Sequence, residues 1–169
     1  MRKLLDALYD GAATLAALSM VGLLGMVLLS IVGRQLHFHL PGTDAYAGYL
    51  MAAAGFLALA HTLKKGEHIR VTLVLSALHG RARRALEIWS LGAATLLASL
   101  SAWYACRLSW LSNQFHDIST GNDATPLWIP QVAMAVGSVI LAIAFADEFV
   151  LELRGQRVRA ASDEALHNE

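Results

Sequence analysis

Four stretches of this chain carry no charged residue for about the length of a membrane crossing: Gly11 to Gly33, Tyr46 to Leu63, Ile88 to Cys106 and Leu127 to Ala146. The hydrocarbon of a bilayer takes roughly 20 consecutive apolar residues to cross as a helix. Within lipid every backbone N–H and C=O must find a partner inside the protein, which leaves helices and closed barrels as the spanning structures. A barrel strand reads as about ten residues of alternating polarity, and these runs are too long and too evenly apolar for that. The expected fold is an all-α integral membrane protein with four transmembrane helices. Composition agrees, since 56% of the residues are apolar and 15% charged, outside the usual range for a soluble domain of this size.

The opening stretch has the basic tip of a secretory signal. Its apolar run is too long for one, and Asp6 and Asp10 interrupt the approach, so it reads as an uncleaved first span. The single cysteine, Cys106, excludes a disulfide or thiolate–metal framework by number. Residues 1–158 read as one four-helix transmembrane domain, followed by a polar tail, 159–169, with the composition of a disordered end.

Lysine and arginine set the orientation, because basic loops are retained on the cytoplasmic face. Arg2 and Lys3 precede the first span, six basic residues lie between the second and third, from Lys64 to Arg84, and Arg154, Arg157 and Arg159 follow the fourth. Only Arg34 and Arg107 lie in the other two connections. Both termini and the central loop are therefore expected in the cytoplasm. Tyr46, Tyr49, Trp103, Tyr104 and Trp128 would then sit at the outer interface, with Tyr9 and Trp89 at the inner one. Between the second and third spans, Val71, Val74, Leu75 and Leu78 recur at helical spacing, the pattern of a short amphipathic helix lying flat at the inner interface.

The spans are as informative for what they lack. Transporters that move their own solute place ionisable groups or broken helices near mid-membrane. Here the only ionisable side chain within a span is His61, about one turn from Lys64, while Glu87 and Asp147 stand at span ends. Pro130 falls in the first turn of the fourth span, where a missing N–H costs little, and reads as a start signal. A membrane cytochrome would need two histidines at membrane depth on facing spans, and His61 has no counterpart on the other three. His37, His39 and His116 read as solvated loop histidines. No nucleophile elbow, phosphate loop or intramembrane acid pair is present, so no catalytic residue, cofactor, metal or nucleic-acid site is expected.

Helices in lipid associate by close approach of small residues. Seams of such residues run along each span: Gly22, Gly25 and Gly33 on the first; Ala45, Gly48, Ala52 and Gly55 on the second; Gly92, Thr95, Ser99, Ala102 and Cys106 on the third; Ala133 and Gly137 on the fourth. Their partners can lie in this chain or in another. Arg34 ends the first span and Asp44 heads the second, close enough in sequence to form an ion pair, the alternative being that Arg34 snorkels to lipid phosphates. Thr43 has the side chain of a helix N-cap.

The segment VGRQLHFHLPGTDAYAGYLM, the run KKGEHIRVTLVLSAL with its basic approach to the third span, and TPLWIPQVAMAVGSVILA together resemble the small membrane subunit, a DctQ-type small permease, of tripartite ATP-independent periplasmic (TRAP) transporters. The resemblance covers nearly the whole chain. Its most specific element is Gly66, His68, Ile69 and Val71, with Glu67 inside the pattern, supported by Arg34 and by Ile129 and Pro130. Asp44 stands where the family more often has glutamate. The resemblance implies a subunit of the bacterial inner membrane that is not an enzyme. It would brace a larger membrane subunit carrying the ion and substrate sites, while a periplasmic solute-binding protein delivers the solute. Uptake in that family runs on an ion gradient, usually sodium, and takes organic acids such as C4-dicarboxylates or sialic acid. A brace needs rigid helices with small-residue seams and anchors at both faces, so the first two spans and the GEHIRV segment are expected to dock the large subunit, with Arg34, Asp44, Gly48, Gly55, Gly66, Glu67, His68, Ile69, Val71 and Pro130 as interface or structural candidates. The competing class is a free-standing four-span protein such as a cytochrome-type electron-transfer subunit.

Overall fold

A computed structural model describes residues 2–38, 40–65, 81–121 and 123–155. These contain four long helices: α1, Arg2–Gln35; α2, Thr43–Lys64; α3, Arg81–Gln114; and α4, Trp128–Leu153. All four are long and apolar enough to cross a membrane. The expected interfacial helix, the motif from Gly66 to Val71 and the tail after residue 158 lie outside the described residues.

Every helix outruns its uncharged stretch. At about 1.5 Å per residue the 34 residues of α1 and of α3 span roughly 50 Å, well beyond the ~30 Å of a hydrocarbon core. The overhangs carry charge: Asp6 and Asp10 continue α1, and Arg107 lies within α3. A helix keeps going past the oil when its backbone ladder is intact and its polar side chains reach water or a partner.

The helices do not close into a bundle. They stand in an open row, α1–α2–α4–α3, in which the substantial contacts are those between neighbours. The outer pairs run antiparallel. Along α1 and α2 the register passes from Asp6 beside Lys64 and Asp10 beside His61, through Gly22 against Leu50, to Ser30 beside Asp44. Along α3 and α4 it passes from Arg84 beside Leu153, through Gly92 against Phe149, to Ser109 beside Trp128. The middle pair, α2 and α4, therefore runs parallel and joins two hairpins that share no short connection.

The close approach between those hairpins is at Gly137. A Cβ there would stand 2.6 Å from the backbone carbon and oxygen of Phe56, so only hydrogen lets the two backbones come this near. Farther along, Tyr9, Ala12, Ala60, Leu63, Ile140 and Ala144 form one buried cluster, because the start of α1 leans across α2 onto α4. Tyr9 is 2% exposed, so at the level of Lys64 its ring is covered by helices and does not face the surroundings. Trp89 and Trp103 stay open, at 70% and 68% exposed. Since Ser109 is level with Trp128, Trp103 lies six residues deeper along α3, roughly 9 Å from that level.

The small-residue seams divide into those used within the chain and those left open. On α3 the buried line is Leu91, Ala98, Ala102, Ala105, Ser109 and Ser112, shifted around the helix from the expected one, so that Ser99 and Cys106 are exposed. On α2, Gly48, Ala52 and Gly55 are exposed, and a Cβ on either glycine would meet open space.

Candidate functional site

The described chain offers three places where polar groups are brought together, one at the end of the termini and two at the opposite, loop end. At the terminal end α1 and α2 are clamped. Lys64 Nζ pairs with Asp6 and also lies 5.0 Å above the Tyr9 ring, and His61 Nδ1 is 3.6 Å from Asp10. Asp6 and Asp10 are one helical turn apart, as are His61 and Lys64, so two antiparallel helices match the pairs in register. What reads in sequence as an interruption before the first span is half of this clamp. His61 thus has a carboxylate beside it. With both partners of the lysine pair about half exposed, water screens it and its contribution is modest, below about 1 kcal/mol.

At the loop end the α3–α4 connection folds into a short hairpin-like turn and is riveted to α2. Ser119 N donates to Thr125 O at 2.8 Å and Leu127 N to Asp117 O at 3.0 Å. His116 and Ala124 hold positive φ, 53° and 47°, at its bends. Asp123 is the centre of the rivet: its carboxylate accepts from Ser119 Oγ at 2.7 Å and from Tyr49 Oη at 3.0 Å, while Thr125 Oγ1 donates to Tyr46 Oη at 3.0 Å. Tyr46 and Tyr49 are three residues apart on one face of α2, their rings edge to face. Gly42, at φ 84°, starts α2 against this turn, and a Cβ on it would stand 2.8 Å from Asp123 Cβ.

Hydroxyl donors, Ser119 first, then Thr125 and Tyr49, hold the Asp123 carboxyl down to about 2 from its ordinary 3.8. A carboxyl depressed by folding contributes its stabilisation in full above the ordinary value and loses it as pH falls through about 2. The rivet is accordingly insensitive to pH around neutrality. Asp123→Ala is expected to raise amide hydrogen exchange several-fold across residues 117–127 with the helices intact, and wild-type protein to approach that behaviour only in strong acid. Unchanged exchange in the variant would refute the role assigned to Asp123.

Between α1 and α2 at the same end lies a pocket of about 350 Å³ lined by Ser30, Gly33, Arg34, His37, Phe38 and Asp44, among others. The chain turns sharply to enclose it. Phe38 N donates to Gly33 O at 2.8 Å, and His37 takes φ 56°. A Cβ on Gly33 would stand 2.7 Å from Phe38 O, so the turn needs glycine there. The expected Arg34–Asp44 ion pair does not form. Asp44 instead accepts a long hydrogen bond, 3.4 Å, from Ser30 Oγ. The expected cap is corrected as well: Gly42 occupies the N-cap position, and Thr43, the first helical residue, donates back to Leu40 O. Gly42 wins because its left-handed backbone lets the chain enter α2 beside Asp123.

Of the other candidates, Pro130 sits third in α4, where its missing N–H is one that a helix start leaves free anyway. Gly48 and Gly55 are on the open face of α2, apart from the pocket. Gly66, Glu67, His68, Ile69 and Val71 fall outside the described residues. Sequence reasoning missed the Asp123 rivet and the acid side of the α1–α2 clamp. The pairing of Tyr46 with Tyr49 on one helix face was the available signal for the first, and the matched one-turn spacings for the second.

No curated protein matches the chain. Residues 23–155 match the family model for the DctQ component of tripartite ATP-independent periplasmic transporters. That match takes in the turn that shapes the pocket, the Asp123 rivet and the whole of α2, α3 and α4, and with it over most of its length the chain belongs to the DctQ family, the small permease component of these transporters.

Proposed function

We propose that this chain is the passive membrane brace of a TRAP transporter of the bacterial inner membrane, holding the immobile part of the large membrane subunit while that subunit moves an organic acid. The observation that carries the reading is the open row α1–α2–α4–α3. Helices in a row surround no common interior in which a pathway could run, and the uncharged stretches of α1, α3 and α4 offer a passing solute no acid or base, with only His61, near the terminal end of α2, titratable within a span. They do present faces. The open seam of Gly48, Ala52 and Gly55 on α2 suits close approach by a helix of the large subunit, and the GEHIRV segment would extend that footprint at the inner surface.

The distribution of lysine and arginine puts both termini and the α2–α3 connection in the cytoplasm. The loop end then faces the periplasm, where Leu36 and Phe38 on one connection and Phe115 and Ile118 on the other are exposed beside the rivet, ready to touch a solute-binding protein. Sodium is the coupling ion of this reading, and the solute is a carboxylate such as a C4-dicarboxylate or sialic acid. Both choices belong to residues of the large subunit and the binding protein. The test is uptake into vesicles holding the large subunit, with binding protein and a sodium gradient supplied, with and without this chain. Uptake is expected to fall to the level of empty vesicles when the chain is left out. Equal uptake in its absence would overturn the brace.

A further inference from the structure

We propose that the pocket between the end of α1 and the start of α2 is a headgroup site for an ethanolamine phospholipid. Its lining carries one cation and one carboxylate, Arg34 and Asp44, that share a pocket without pairing with each other. Opposite charges on facing helix ends normally collapse into contact. Here Ser30 holds the Asp44 carboxylate by one long hydrogen bond, and the tight Gly33–Phe38 turn carries His37 into the lining beside Arg34. A guest with its own anion and cation satisfies both ends at once.

A phosphodiester accepts from the Arg34 guanidinium and from an imidazole N–H of His37. The ammonium two carbons away donates to Asp44. Choline, whose nitrogen has no N–H, offers Asp44 no hydrogen bond, and an anionic glycerol headgroup brings the carboxylate no cation. The acyl chains have a place to lie. Val32, Leu36 and Phe38 beside the pocket are 49%, 71% and 55% exposed, continuous with the open apolar face of α1. The pocket is at the end of a membrane-length helix, where headgroups are found. The inference depends on the four spans and not on the transporter reading, so either can fail alone.

The test is native mass spectrometry of the full chain in detergent, titrated with phosphatidylethanolamine, phosphatidylcholine and phosphatidylglycerol, and with glycerophosphoethanolamine as the chainless headgroup. Phosphatidylethanolamine is expected to bind about tenfold tighter than the other two lipids, the worth of one charge-assisted contact. Arg34→Gln and Asp44→Asn are each expected to remove most of that preference, and the double variant to remove little more, since one guest bridges both. Equal binding of all three lipids by the wild-type chain would overturn the proposal without recourse to any variant. Phosphatidylglycerol binding that rises in Asp44→Asn while phosphatidylethanolamine binding stays unchanged would overturn it in favour of a plain anion site. Glycerophosphoethanolamine binding as tightly as the lipid would overturn it in favour of a soluble ligand. Loss of a copurifying membrane protein from Asp44→Asn with lipid binding untouched would make the pocket a protein contact instead.

Discussion

Alanine at Gly137 is expected to drive the two hairpins of this chain apart. The added methyl would stand 2.6 Å from the Phe56 backbone, and its obstacle is main chain, which has no rotamer to yield. Forcing a methyl into packed space costs typically about 1–3 kcal/mol where side chains can shift, and the upper end applies where they cannot. In water such a loss would be partly offset by other burial. In lipid little opposes it, because acyl chains solvate the freed apolar faces of α2 and α4 as well as those faces solvated each other. Spin labels on α1 and α3, the outer helices of the row, report the result by pulsed electron resonance after Cys106 is replaced by serine. The α1–α3 distance distribution should broaden in Gly137→Ala, and the α1–α2 and α3–α4 distributions should stay narrow. A narrow, unchanged α1–α3 distance would show that Gly137 is not where the hairpins are held.

Tyr9→Ala is expected to give the next largest effect, and Tyr9→Phe almost none. Tyr9 is covered by α2 and α4, with Lys64 over its ring and Ile140 and Ala144 in its cluster. Truncating a large buried aromatic leaves a cavity that the surrounding helices fill only in part, at about 3–5 kcal/mol in soluble cores. The transfer share of that cost shrinks when the unfolded reference lies in lipid, so about 2–3 kcal/mol is expected here. The hydroxyl is another matter. Tyr9 Oη is buried with no hydrogen-bond partner among the described residues, so its removal takes away an unmet polar group and leaves the ring in place. Denaturant titration in mixed micelles, followed by helical signal, separates the two: Tyr9→Phe at or above wild-type stability, Tyr9→Ala well below. A Tyr9→Phe variant as weak as Tyr9→Ala would mean the hydroxyl is bonded after all.

These two positions also show what the sequence can and cannot disclose. Four spans follow from uncharged length alone, and all four are there, each longer than the run that announced it. The order of the helices in space does not follow, because hydropathy measures whether a segment suits oil and says nothing of its neighbours. A soluble helix betrays its inward face by its apolar stripe. A lipid-facing helix is apolar all round and betrays nothing. Hence the α3 seam lies displaced around the helix, with Ala98 and Ala105 buried and Ser99 and Cys106 exposed, and hence the burial of Tyr9 against α2 and α4 has no sign in the pattern. Gly137 was legible as a small residue suited to close packing, but not its partner Phe56. At the loop end the Asp123 rivet was hidden in a polar turn where any carboxylate looks solvated. The Arg34–Asp44 pair failed for a related reason: nearness along the chain fixes neither the turn that intervenes nor the hydroxyl that arrives first.

An open row has mechanical meaning. Neighbouring helix axes lie about 8–10 Å apart, so three steps reach up to about 30 Å sideways, farther than four helices gathered round a common core. Leverage grows with that reach. To rock within the bilayer, anything fastened along one flank of the row must lift or sink its far edge through the headgroups, and each ångström of such mismatch is resisted. The row is an outrigger, and the parallel joint between α2 and α4 is the crossbeam on which its stiffness hangs.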